Sequence, residues 1–285
     1  MEGYQLGKNQ KKAFFYYVII ACSFTWVFWI TAILLGYEDI SFARLINRGF
    51  ETPKQMILFL IFRIGVYGPL IASLLVTCYF FKFDGLKSLW QRITKWKVKI
   101  KWYLYLLLIP IGLNLIVVFI GVMSGIPFDD FFKSGIPWTL ILIYFFYQIL
   151  TSGMEEPGWR GFALEILQNK YTAEKASWIL GLIWAVWHYP LMISLYLSEG
   201  IISIIFSLAG FTMVMIGQTI IYTWFYNNTK SVLITILHHA WSNTATAFIF
   251  GTVATHSPVI GLFTAIVTWG IAFLLLKNNA LVANN

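Results

Sequence analysis

Charged residues are scarce in this chain. Asp, Glu, Lys and Arg make up 11% of its 285 residues, and only 12 residues are acidic. Soluble domains carry about 25% charged residues. Hydrophobic residues reach 59%, and the mean hydropathy is +0.74. The composition therefore argues against an ordinary soluble protein and predicts a polytopic membrane protein.

Cysteine is also scarce. The chain has only Cys22 and Cys78, and each lies in an apolar run, where a free thiol usually behaves as a small hydrophobe. Neither a disulfide framework nor a cysteine-bound metal is therefore expected. The sequence lacks an internal repeat and a long linker, so residues 1–285 are predicted to form a single transmembrane domain.

Several signatures of membrane hydrolases and transporters are missing. The sequence has no His-Glu-x-x-His for a zinc protease helix, no Gly-x-Ser-Gly for a serine intramembrane protease, and no aspartate in its long apolar runs. It also lacks the paired broken half-repeats that indicate a secondary transporter. These absences argue against four familiar ways of building a polar site in a membrane.

Long apolar runs are what the chain does contain. A helix needs about 20 apolar residues to cross a hydrocarbon core of about 30 Å. The sequence therefore predicts an all-α, polytopic membrane bundle of about eight transmembrane helices, with the short fourth run continuing as helix toward Glu155. The eight runs are Ala13–Leu35, Met56–Phe81, Trp102–Met123, Trp138–Leu150, Trp178–Leu197, Ile201–Trp224, Val232–Phe250 and Val259–Leu276.

The charges between these runs predict an orientation. Residues 82–101 contain seven Lys or Arg against one acid, Asp84, whereas the next connection holds Asp129 and Asp130 against Lys133. Because Lys and Arg accumulate on the cytoplasmic side, both termini are predicted to be cytoplasmic in a multi-pass protein of the cell membrane. This asymmetry also explains much of the net charge of +8, so the lipid bilayer, and not nucleic acid, is the expected partner.

One stretch crowds acids and a base together, namely Glu155-Glu156-Pro-Gly-Trp-Arg160. On a helix, the four-residue step from Glu156 places its carboxylate beside the Arg160 guanidinium. Glu155 points about 100° away and is left as a carboxylate free for chemistry. The alternative interpretation is an ordinary loop and helix start, since Pro157 suits a first helical position and acids are favourable there.

Two later runs carry imidazoles. His188 follows Trp184 by four residues, and His239 shares a helix face with Asn243. His238 is turned about 100° from His239 and is expected to face elsewhere. At about 1.5 Å rise per residue, the side chains of Glu155, His188, His239 and Asn243 can converge in the cytoplasmic half of the bilayer.

Such a convergence suggests water activation. Glu155 and His188 could hold a water and remove its proton, while His239 and Asn243 donate to the oxyanion that forms on an attacked carbonyl. Alternatively, Glu155, His188 and His239 could bind zinc or another divalent metal. Asn is an uncommon zinc ligand, so the residue types favour direct water activation without a required cofactor.

Arg63 lies inside the second apolar run, where a charge is costly and usually paired. Two interpretations stay open from the sequence. The guanidinium could pair with a carboxylate in the bundle, or it could reach the membrane interface if its helix is tilted. Pro69 follows it and predicts a kink.

The motifs resemble those of the CAAX protease and bacteriocin-processing (CPBP, or Abi) family. Glu155-Glu156-Pro-Gly-Trp-Arg160 is similar to its first motif, Trp184-x-x-x-His188 to its second, normally Phe-x-x-x-His, and His239-x-x-x-Asn243 to its last. The resemblance implies an eight-helix intramembrane peptidase. In it, the positions that match Glu155, His188, His239 and Asn243 are catalytic, with Glu156, Arg160 and Trp184 as supporting residues.

The resemblance also implies a range of partners. Some family members cleave prenylated CAAX proteins, and others are linked to bacteriocin processing or immunity. A peptide or protein substrate is therefore expected, lipidated or otherwise bound to the membrane. The rival hypothesis is a non-enzymatic immunity or peptide-binding protein that uses the same cavity.

Overall fold

The computed structural model describes residues 9–37, 42–250 and 258–282, and every regular element within these ranges is helical. This confirms the predicted all-α fold class. The α-helices are α1 Asn9–Leu34, α2 Phe42–Arg48, α3 Pro53–Gly65, α4 Gly68–Ile93, α5 Ile100–Met123, α6 Ile141–Leu150, α7 Glu156–Gly158, α8 Glu165–Gln168, α9 Ala173–Tyr196, α10 Ile201–Thr229, α11 Val232–Phe250 and α12 Pro258–Lys277.

Six helices in the described ranges are long and apolar enough to cross a membrane: α1, α4, α5, α9, α10 and α12. The protein is therefore a multi-pass membrane protein. Two of the eight predicted runs do not form such helices. Run 138–150 yields only the ten residues of α6 after one 3-10 turn, and run 232–250 forms α11, whose 19 residues include two histidines and an asparagine.

The predicted continuation of the fourth run as helix toward Glu155 is wrong. The helix ends at Leu150, because Thr151 has non-helical dihedrals (φ −109°, ψ −96°). A 3-10 turn, Ser152–Glu155, then leads into α7 and a π-helical segment, Trp159–Leu164. The acidic motif thus sits on short, irregular helical turns, which are tolerated at membrane depth where the surrounding protein buries them.

The second predicted run is broken where the sequence predicted a kink. Helix α3 ends at Gly65, and α4 begins at Gly68 with Pro69 in its first turn. Proline suits this position, because the first residues of a helix have no partner for their N–H groups. The break directs α3 and α4 along two different paths beside α1.

The bundle encloses the acidic motif. Helix α1 packs against α3, α4 and α9, while α9 packs along α10, and α11 packs against α5 and α6. The motif lies between α4 and α11, and its approach to α4 is very close. A Cβ on Gly158 would lie 2.4 Å from the Pro69 carbonyl oxygen, so only glycine fits at this contact.

Candidate active site

A cavity of about 410 Å³ lies among α3, α6, α9, α10, α11 and the Ser152–Glu155 turn. All four residues predicted as catalytic, Glu155, His188, His239 and Asn243, line it. Three separate parts of the chain thus bring a carboxylate, two imidazoles and a carboxamide to one space. Trp184 also lines the cavity, whereas Glu156 and Arg160 lie behind its wall.

Glu155 is held by two indoles. Its Oε2 accepts hydrogen bonds from Trp184 Nε1 at 2.9 Å and Trp159 Nε1 at 3.3 Å. The residue is only 4% exposed. The carboxylate that the sequence left free for chemistry thus has two hydrogen-bond donors but no ion-pair partner among the described residues. Both partners are neutral, so they fix the direction of the carboxylate without cancelling its charge. Oε1 has no hydrogen bond to a described residue and is the oxygen available to the cavity.

Glu156 and Arg160 form the predicted pair. Arg160 Nη1 donates to Glu156 Oε1 at 3.0 Å, and both side chains are completely buried. The Arg160 guanidinium lies between two aromatic rings, 4.5 Å from the Trp184 centroid and 4.3 Å from the Tyr222 centroid. These cation–π contacts partly replace water as surroundings for the buried charge.

Glu156 also orients His239, a contact that the sequence did not reveal. Its Oε1 accepts from His239 Nδ1 at 2.9 Å. Because a carboxylate oxygen accepts, Nδ1 carries the proton, and Nε2 is the ring nitrogen directed to other partners. The same oxygen thus joins Arg160 and His239, so the pair behind the wall fixes a group in the cavity.

His188 also carries a proton on Nδ1, as His239 does, but it donates this proton to a different kind of partner. Its Nδ1 donates to the Trp184 backbone carbonyl at 2.9 Å, which leaves Nε2 with its lone pair. Its ring is half-buried and packs edge-on against Trp187, with centroids 4.5 Å apart. Trp184 therefore positions two predicted site residues, Glu155 through its indole and His188 through its carbonyl.

Asn243 is fixed by two residues that the sequence analysis missed. Its Nδ2 donates to Ser152 Oγ at 3.0 Å and, at a longer 3.4 Å, to Gln148 Oε1. Ser152 Oγ donates to Gln148 Oε1 at 2.8 Å, and both Gln148 and Ser152 line the cavity. A signal was available, because Gln148 is a carboxamide within an apolar run and Ser152 follows it by four residues.

His238 faces away from the cavity, as expected. Its ring packs against Phe225 and Tyr222, with centroids 4.4 and 4.9 Å away. It also hydrogen-bonds the backbone of Leu106. The normal helical partner of the Leu106 carbonyl would be residue 110, which is a proline without an N–H. His238 therefore has a structural role in joining α11 to α5.

The three candidate metal ligands do not form a metal site in this arrangement. Within the described ranges, no group of three or more His, Cys, Asp or Glu side chains is placed to hold a metal ion. Glu155 Oε2 already accepts two indole N–H groups, and each histidine of the cavity uses its Nδ1 elsewhere. Glu155 Oε1 and the Nε2 atoms of both histidines are not used by these bonds, so the preference for a site without a required cofactor stays a prediction.

Fold and site together define a class: a multi-pass helical membrane protein with a carboxylate and two imidazoles around an internal cavity. Residues 137–245 match the family described as Type II CAAX prenyl endopeptidase Rce1-like. The chain is also 30% identical over 132 residues to CAAX prenyl protease 2 of Methanococcus maripaludis, covering 43% of this chain and 49% of that relative. These matches support the similarity to the CPBP/Rce1-like family that the motifs indicated.

The matched residues include the whole candidate site, from Gln148 to Asn243. The alignment spans about half the length of the curated relative. The family match therefore concerns the part of the chain that carries the four predicted catalytic residues, and Arg63 of the cavity lies outside it.

Proposed function

We propose that this protein is an intramembrane endopeptidase that hydrolyses a peptide bond with a water activated by Glu155 and His188. The observation that carries the proposal is the shared cavity, in which Glu155, His188, His239 and Asn243 meet from three parts of the chain. The Rce1-like match supports a peptidase in particular.

The bound water would lie between Glu155 Oε1 and His188 Nε2. Glu155 takes a proton as the water oxygen attacks the scissile carbonyl carbon, and the carbonyl π electrons move to its oxygen. When the tetrahedral intermediate collapses, the C–N bond breaks and the proton passes from Glu155 to the leaving nitrogen. No step needs a metal ion.

His239 and Asn243 would stabilise the oxyanion. Because His239 Nδ1 donates to Glu156, Nε2 is the ring nitrogen directed toward the oxyanion, and it donates there when it carries a proton. Asn243 can donate by releasing its long bond to Gln148. Preorganised donors of this kind are worth about 10²- to 10³-fold in kcat.

The substrate is proposed to be a peptide or protein segment that reaches the cavity from the cytoplasmic face. The cations that follow the motif, Lys170 and Lys175, support this side under the positive-inside rule. The curated relative is named a CAAX prenyl protease. An S-prenylated CAAX-type peptide is therefore the first substrate to test, beside its unprenylated form.

The test is turnover by purified protein in lipid nanodiscs. We expect Glu155→Gln and His188→Ala each to lower kcat by about 10²- to 10⁴-fold, since the first removes the proton acceptor and the second removes the group that holds the attacking water beside it. His238→Gln is the matched control, because it changes an imidazole outside the cavity and keeps a donor for Leu106. Full activity in either Glu155→Gln or His188→Ala would refute the mechanism.

The rival function, peptide binding without hydrolysis, predicts a different result. A binding protein that confers bacteriocin immunity should protect cells equally well as wild type and as Glu155→Gln, because the variant keeps the cavity's shape. An endopeptidase should lose protection in step with turnover.

A further inference from the structure

Arg63 is a cavity residue that the proposed mechanism does not use. It lies on α3, half-buried, and among the described residues it is the only Lys or Arg that lines the cavity. Glu155, His188 and His239 line the same space. A permanent cation therefore shares this cavity with the residues assigned to hydrolysis.

The Arg63 guanidinium contacts aromatic rings and no acid. Its central carbon lies 4.8 Å from the Phe59 ring centroid and 5.5 Å from that of Tyr147. Within the described ranges it forms no ion pair, and its buried Nε has no hydrogen-bond partner. Of the two interpretations from the sequence, pairing with a carboxylate of the bundle finds no support there.

The backbone beside Arg63 is fixed from both sides. Trp29 Nε1 donates to the Phe62 carbonyl at 2.9 Å, and Thr25 Oγ1 donates to the Gly65 carbonyl at 2.7 Å. A Cβ on Gly65 would lie only 2.6 Å from the Trp29 ring, so this end of α3 packs as closely against α1 as glycine allows. The backbone on either side of Arg63 is therefore held at a set position against α1.

We propose that Arg63 binds a carboxylate of the substrate peptide. Aromatic contacts occupy the faces of a guanidinium and leave its in-plane N–H groups free, and these match the two oxygens of a carboxylate. An unpaired charge at this depth is costly, and an incoming carboxylate removes that cost. Binding at Arg63 would also keep the carboxylate of the peptide away from the carboxyl group of Glu155. This inference rests on the proposed function, because it assumes that a peptide occupies the cavity.

Two carboxylates of a peptide could serve, the C-terminal α-carboxylate or an acidic side chain. Three fluorescent, S-farnesylated CAAX-type heptapeptides separate them. The parent has a free C-terminus and one Glu before the Cys, the second is amidated at its C-terminus, and the third has Gln in place of Glu. Their affinities are measured by fluorescence anisotropy on nanodiscs that contain Glu155→Gln protein, in which hydrolysis is blocked.

We expect one neutralised peptide to bind Arg63-containing protein about 10- to 100-fold more weakly than the parent, as for a lost hydrogen bond to a charged group. Loss with the amidated peptide assigns the C-terminal carboxylate, and loss with the Gln peptide assigns the side chain. Arg63→Gln should bind all three peptides equally, and Arg63→Lys should keep part of the preference. Lys97→Gln, which removes a cation stacked on Trp96 outside the cavity, should keep all of it.

The inference is overturned if Arg63→Gln retains the preference, if neither neutralisation weakens binding, or if no peptide binds. A general loss of structure in Arg63→Gln would also weaken binding of the neutralised peptide, whereas loss of the cation alone leaves the affinity for that peptide as in the Arg63-containing protein, so this affinity is the deciding readout. If the carboxylate preference is found but the protein that retains Glu155 hydrolyses none of the peptides, the proposed endopeptidase activity is refuted and the binding role of Arg63 stands. If the peptides are hydrolysed without a carboxylate preference, the binding role of Arg63 is refuted and the endopeptidase activity stands.

Discussion

Removing Arg160 should destabilise the protein strongly, although this side chain does not line the cavity. It is completely buried, its Nη1 donates to Glu156, and its guanidinium lies between the rings of Trp184 and Tyr222. Arg160→Met would leave the Glu156 charge buried with only the His239 Nδ1–H as partner. Breaking a buried pair in this way costs about 3–5 kcal/mol.

The structure also limits what the intact pair contributes. Glu156 Oε2 and two Arg160 nitrogens, Nε and Nη2, have no hydrogen-bond partner among the described residues. Part of the desolvation cost is therefore uncompensated, and removing both charges should cost much less than the sum of the single changes. We expect the double variant Glu156→Gln/Arg160→Met to recover at least about 2 kcal/mol relative to additivity.

Thermal unfolding in detergent, followed by tryptophan fluorescence, measures these effects. A loss of 3–5 kcal/mol corresponds to a decrease in Tm on the order of 10 °C. Lys133→Met is the control, because it removes a cation from the exposed pair with Asp130 at 3.3 Å, where about 0–1 kcal/mol is expected. If Arg160→Met unfolds at the wild-type temperature yet is inactive, Arg160 acts on the substrate or the transition state, and the structural role argued for it is wrong.

Two further predictions concern the carboxylate of the site. Direct water activation predicts that turnover survives exhaustive chelation and metal-free preparation; stoichiometric zinc by elemental analysis, lost together with activity in His239→Ala, would contradict it. Trp184→Phe removes the 2.9 Å donor to Glu155 and keeps an aromatic ring beside Arg160, so kcat should fall by about 10- to 100-fold, as for a hydrogen bond to a charged group, with little change in KM. A fall in binding alone would show that the indole contacts the substrate instead.

The sequence predicted the helical class well because composition and run length determine it. In a membrane, the backbone hydrogen bonds of a spanning segment can be satisfied only in a helix or a closed barrel, and apolar runs of about 20 residues have the length of a helix. Run length does not determine where a helix stops. Residues 138–150 are apolar almost throughout, yet they form only α6, and the chain leaves helical geometry at Thr151. That ending depends on packing against α11, which a local pattern does not contain.

For the site, the sequence predicted the convergence of polar groups but not their partners. Spacing within one helix was sufficient for Glu156 and Arg160, which are four residues apart. The bond from His239 to Glu156 joins residues 83 positions apart, and that from Asn243 to Ser152 joins residues 91 apart. Such contacts follow from how helices pack. Helix periodicity could therefore predict that these side chains lie at similar depths, but not which of them form hydrogen bonds.

The two neighbouring glutamates show why adjacent residues of the same type can differ in role. Each finds a partner four positions later, Glu155 in Trp159 and Glu156 in Arg160. An indole donates a hydrogen bond without a charge, so it orients Glu155 without forming an ion pair, and Glu155 can still accept a proton at the cavity. A guanidinium pairs with its partner by charge, so the Glu156 carboxylate is engaged by Arg160 and by His239. The difference between the two glutamates therefore originates in the residues one turn further along the chain.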